Sequence, residues 1–109
     1  MLCDLDALPP GSARGFDPGG TGADTLFAVN SRGGIRAYLN RCPHDGATPL
    51  PWRRHAYLNQ ARDRIVCSAH GAEFLIGSGE CVLGPCLGRT LSPVPVHVRD
   101  GRILLGTEG

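Results

Sequence analysis

Apolar positions along the chain fall in short runs broken by turn formers, and no ten-residue window keeps a helical period. Residues 25–30 (TLFAVN) and 35–39 (IRAYL) are two such runs joined by Ser-Arg-Gly-Gly, the pattern of a hairpin. Residues 12–16 form a short first strand ahead of them. Residues 64–67 (RIVC) and 73–76 (EFLI) flank a tight bend at 68–72, and the turn Gly77-Ser78-Gly79 follows. Residues 91–98 (LSPVPVHV) alternate, and Asp100-Gly101 joins them to a last strand at 103–105. Residues 47–63 are polar and irregular, with a brief strand at Tyr57-Leu58. The pattern predicts an all-β, antiparallel fold in one domain, residues 1–109, with two long loops that each leave a strand.

Composition agrees with this. Sixteen Gly, nine Pro and few aromatics favour a sheet protein with many turns over a helical bundle. Eleven basic residues, all Arg, against ten acidic ones leave a net charge of +1, so general attraction to nucleic acid or to an anionic membrane is not expected. The first residues are acidic where a signal peptide is basic, and no apolar run approaches the ~20 residues of a bilayer span. The expectation is a soluble, cytoplasmic protein. Thiols stay reduced there, so the five cysteines are ligands or packing residues and not a disulfide framework.

Each long loop carries one Cys and one His. The first reads Arg41-Cys42-Pro43-His44-Asp45-Gly46; after the 22 residues 45–66, the second gives Cys67-Ser68-Ala69-His70. Cys-x-His is too tight for the usual start of a zinc finger, where paired cysteines stand two to four residues apart. Two thiolates and two imidazoles on two sharply turning loops can close around one metal centre. That centre is either a single zinc or two irons bridged by sulfide.

At CPHDGATPL (42–50), IVCSAHGAEF (65–74) and the Gly-Glu-x-x-x-Gly-Pro segment (79–85), the sequence resembles the Rieske proteins over nearly its whole length. These hold a [2Fe-2S] cluster with two Cys on one iron and two His on the other. The resemblance implies a small antiparallel Rieske-type β-sandwich with two cluster-binding loops and one [2Fe-2S] cluster per chain. It places Cys42 and Cys67 on a buried iron, His44 and His70 on an outer one, and Gly84-Pro85 in a third loop that covers the cluster. Two ferric ions, two sulfides, two thiolates and two neutral imidazoles carry no net charge, which raises the potential relative to a four-Cys cluster. The outer imidazole nitrogens can also carry protons, so the potential is expected to fall as pH rises through their range.

The resemblance also speaks to sub-type. In the Rieske subunits of cytochrome bc complexes, two further cysteines form a disulfide, and Ser and Tyr hydroxyls donate to the cluster and a cysteine sulfur. Here the corresponding positions are Ala47 and Ala69, and Ala72 and Phe74. Without those donors the potential is expected toward the low end of the range, roughly −150 mV and not +300 mV. Among the other candidates, His55 and His97 are read as solvated or packed, and Cys3 as a terminal thiol; Cys81 and Cys86 either pair by oxidation, touch the covering loop, or, the favoured reading in a reducing cytoplasm, stay free and packed. Arg41, Arg53, Arg54 and His55 are a solvated face or a positive rim that steers an acidic partner; Trp52 packs the long loop or joins that rim.

The chain is too short for the second, mononuclear-iron domain of a Rieske oxygenase. The expectation is therefore an electron-transfer component and not an enzyme by itself: a Rieske-type ferredoxin passing single electrons from a reductase to an oxygenase or other redox enzyme. The alternative is a small redox or regulatory subunit of a larger oxidoreductase, like the small subunit of nitrite reductase.

Overall fold

A computed structural model describes residues 2–31, 34–43, 49–51, 54–68 and 71–106. Arg32 and Gly33, where the sequence predicts the hairpin turn, and His44, Asp45, Gly46, Ala47, Trp52, Arg53, Ala69 and His70, lie outside the described residues.

Among the described residues, nine strands form three antiparallel three-stranded sheets. The middle one joins β2 (Ala13–Phe16), β3 (Leu26–Ser31) and β4 (Gly34–Leu39), with Leu26 opposite Leu39 and Ser31 opposite Gly34. Its central strand explains the unbroken apolar run in TLFAVN. Successive side chains of a strand point to opposite faces, and here both faces are covered. Phe27 and Val29 enter one buried cluster, Leu26 and Ala28 another.

The second cluster lies against the sheet β1-β9-β8, made of Cys3–Asp4, Arg102–Leu105 and Val96–Arg99. The first lies against β5 (Arg64–Cys67), β6 (Ala72–Leu75) and β7 (Cys81–Leu83). Phe27 links the middle sheet to this side, its ring stacked on Tyr57 at 4.2 Å between centroids.

The all-β antiparallel expectation is borne out; helix is confined to one 3-10 turn at Leu5–Ala7 among the described residues. Three details differ. Cys3 is no loose terminal thiol: it is buried in β1 opposite Ile103. Residues 91–98 do not make one strand. Pro93 and Pro95 have no N–H to donate, so only Val96 onward joins the ladder, while Ser92 and Val94 bond to Leu39 and Ala37 at the edge of β4. Tyr57-Leu58 contributes one isolated bridge, Leu58 to Ile65.

Candidate metal centre

The first candidate loop leaves β4 at Asn40, and that side chain fixes both its ends. The Asn40 amide donates to the Asp24 carbonyl at 3.0 Å and its oxygen accepts from the Leu50 N–H at 3.0 Å. Asn40 is the one buried polar residue among those described, so these bonds also satisfy what would otherwise be a costly burial. Cys42, two residues on, is fully buried.

The second loop leaves β5 at Cys67, also fully buried. The chain reverses at once: the Gly71 N–H donates back to the Cys67 carbonyl at 2.8 Å, and Cys67 faces Ala72 across the β5–β6 ladder. Gly71 has φ +69, which glycine adopts without the cost a side chain would bring. The Ser68 N–H donates to the Leu50 carbonyl at 2.8 Å, so the two loops are joined to one another by backbone.

A third loop, residues 84–89, closes over both. Gly84 has φ +94, and a Cβ there would lie 2.9 Å from the Ala72 Cα; the absence of a side chain is what lets this loop rest on the start of β6. From the same loop the Arg89 guanidinium donates to the Pro43 carbonyl at 2.7 Å, in the peptide between Cys42 and His44. The buried Cys86 brings its Sγ to 3.6 Å from that of Cys42. Cys81 turns away, its thiol donating to the Leu83 carbonyl at 3.2 Å, and none of the five cysteines is in a disulfide.

Cys42 and Cys67 thus stand at the mouths of two adjoining loops and belong to one apolar cluster with Cys86. Paired sulfur donors in apolar surroundings suit zinc or an iron–sulfur cluster, not a hard cation that wants oxygen. The sulfur half of the proposed ligand set therefore fits the group. His44 and His70, the other half, lie outside the described residues.

The rim splits. Arg41 is exposed, but Arg54 turns back onto the domain and holds Asp24 with two bonds of 3.0 and 3.1 Å. His55 is a packed histidine: its Nδ1 accepts the Gly15 N–H at 2.9 Å, and burial together with the nearby Arg54 charge lowers its pKa. His97 sits with Nδ1 2.8 Å from the Gly106 carbonyl. The Tyr57 phenol is buried without a hydrogen-bond partner among the described residues, and that burial, with Asp24 nearby, pushes its pKa well above the usual phenol range. Asn40 and Arg89 were not singled out from sequence. Asn40 has a readable signal, a polar residue ending an apolar strand two places before the candidate ligand Cys42; Arg89 has none.

The sequence pattern of the Rieske [2Fe-2S] domain matches residues 1–98. The ferredoxin component of the alkene monooxygenase system of Xanthobacter autotrophicus is 28% identical over 107 residues, 98% of this chain and 80% of that one. The ferredoxin of carbazole 1,9a-dioxygenase from Nocardioides aromaticivorans superposes with a TM-score of 0.73 at 24% identity, covering 98% of this chain and 95% of the other. A putative NADH-dependent nitrite reductase small subunit from Mycobacterium tuberculosis does so with a TM-score of 0.63 at 20% identity, covering 94% and 88%. With the match over residues 1–98 and three loops converging on Cys42 and Cys67, the chain belongs to the Rieske [2Fe-2S] domain family, whose fold implies a [2Fe-2S] cluster.

Proposed function

We propose that the protein is a cytoplasmic, Rieske-type ferredoxin that carries one cluster per chain on Cys42, His44, Cys67 and His70. When bound, that group takes up and releases one electron. The observation that carries the reading is the burial of both sulfur donors beneath a third loop pinned to each ligand loop. Cys42 and Cys67 hold one side of the cluster away from water, while Gly84 and Arg89 keep the covering loop closed against the two loops that bear them. Leu83 and Leu87, 52% and 65% exposed on either side of Gly84-Pro85-Cys86, offer an apolar surface next to the site for short-lived contact with a reductase and a terminal oxygenase. The relatives named as ferredoxins of an alkene monooxygenase system and of carbazole dioxygenase support acceptors of that kind.

The likeness to a nitrite reductase small subunit favours a second reading, a dedicated subunit of one larger oxidoreductase. EPR of the purified protein, followed by electron transfer from an added reductase, separates the two. A low-average-g signal in a monomer that turns over with reductase supports the carrier. Stoichiometric co-purification with a large subunit and no exchange with free reductase supports the subunit. Protein that stays colourless after reconstitution with iron and sulfide overturns both.

A further inference from the structure

Cys86 has no place in the four-residue ligand set, yet its sulfur lies 3.6 Å from that of Cys42 and both side chains are fully buried. The separation is far beyond the ~2.05 Å of a disulfide and within reach of a hydrogen bond between sulfurs. Among the described residues, the Cys42 sulfur is the hydrogen-bond partner offered to the Cys86 thiol. We propose that Cys86 donates an S–H···S hydrogen bond to the ligand sulfur of Cys42 and thereby raises the reduction potential of the centre.

The direction of the bond follows from the ligand reading, on which this inference rests. A cysteine that ligates iron is a thiolate, an acceptor with no proton to give. Cys86 must then be the donor. Its surroundings leave it little else to do: it sits in an apolar cluster, and its neighbour Cys81 is engaged with the Leu83 carbonyl. Reduction adds negative charge that is shared by the ligand sulfurs, so a donor on one of them stabilises the reduced state more than the oxidised one. The low dielectric of the buried site strengthens that difference.

The bond also comes from an unexpected direction. The two β6 positions that correspond to the hydroxyl donors of the cytochrome bc Rieske subunits, Ala72 and Phe74, are buried apolar residues. The donor comes instead from the third loop, whose path is set by Gly84 against Ala72 and Arg89 against Pro43. Cys86 acts through Cys42 and not on the irons.

The test is a redox titration of the cluster-loaded protein, followed by EPR, for the wild type, Cys86→Ala and Cys86→Ser. Alanine removes the donor; serine keeps one in nearly the same volume. The expected result is a shift of the one-electron equilibrium toward the oxidised form by about tenfold in Cys86→Ala, which is 59 mV, with most of it restored in Cys86→Ser. Equal potentials in all three proteins would overturn the proposal, as would equal shifts in both variants, which would mark a packing effect. Failure of both variants to hold a cluster would make Cys86 a structural or ligand residue and also overturn it. Cys42→Ala tests the underlying reading separately: loss of the cluster upholds Cys42 as a ligand, whereas an unchanged spectrum removes that ligand and this proposal with it.

Discussion

The Arg89 guanidinium donates to the Pro43 carbonyl at 2.7 Å across 46 residues of sequence, tying the covering loop to the peptide between the first Cys and His. Both ends of this tie are near the surface, so its worth is about 1 kcal/mol and not the larger figure for a buried charged bond. We expect Arg89→Leu to leave the urea midpoint nearly unchanged. It should speed loss of the cluster's visible absorbance to a chelator roughly fivefold, the factor that ~1 kcal/mol brings. A bleaching rate equal to wild type would show that the loop stays closed without this bond.

Gly84 and Gly88 make a matched pair. Both have positive φ, +94 and +85, but an added Cβ meets Ala72 backbone at 2.9 Å in the first case and nothing within 4 Å in the second. Gly88→Ala should therefore cost only the left-handed conformation, about 1 kcal/mol. Gly84→Ala adds a clash with backbone that cannot swing aside, for roughly 1–3 kcal/mol more. Urea denaturation of the two variants checks this, and equal losses would rule out the close approach of the third loop to β6.

Asn40 is tested by two substitutions. Asn40→Ala strands the Leu50 N–H in the core, where Leu50 is fully buried, and should cost about 1–3 kcal/mol. Asn40→Asp keeps an acceptor for that N–H but sets a carboxylate oxygen against the Asp24 carbonyl, which now receives the amide. It should be destabilising too, and more so at neutral pH than in mild acid, where the carboxyl can protonate. Thermal unfolding at two pH values would show this; an aspartate variant as stable as wild type would remove the clamp.

Much of this was legible because it is local. The Cys-x-His and Cys-x-x-His spacings and the β3–β4 hairpin are carried by neighbouring residues, and chain reversal at Gly71 follows from a tight bend between two apolar runs. What escaped depends on partners distant in sequence. A two-residue strand such as Cys3–Asp4 has no pattern of its own and exists because Ile103 and Arg102 lie beside it. β7 has no strand pattern of its own in the sequence, since three residues at Cys81–Leu83 become a strand only against β6. The contact between Cys86 and Cys42 spans 44 residues and needs the third loop's path, which Gly84-Pro85 announces without fixing. The alternation over 91–98 misled because apolar spacing is blind to the missing N–H groups of Pro93 and Pro95.

The last prediction concerns pH. His55 accepts the Gly15 N–H on Nδ1, a bond that only the neutral ring with Nδ1 unprotonated can make. Burial first, and the Arg54 charge second, lower its pKa in the folded protein from the ordinary 6.5. Unfolding removes those influences, so between the lowered value and 6.5 the unfolded chain binds more protons than the folded one. Stability therefore rises with pH across that window. The contribution of His55 is complete above 6.5 and is lost as pH falls through the lowered folded value. His55→Asn isolates it: Asn tolerates the positive φ of 71 at this position and offers an oxygen to the Gly15 N–H, but does not titrate. The other histidines are common to both proteins and cancel in the comparison. Urea midpoints measured from about pH 7.5 down to about pH 5 should fall more steeply for wild type than for His55→Asn. Parallel curves would mean that His55 takes up a proton in the fold as readily as it does in the unfolded chain, against the geometry at Gly15.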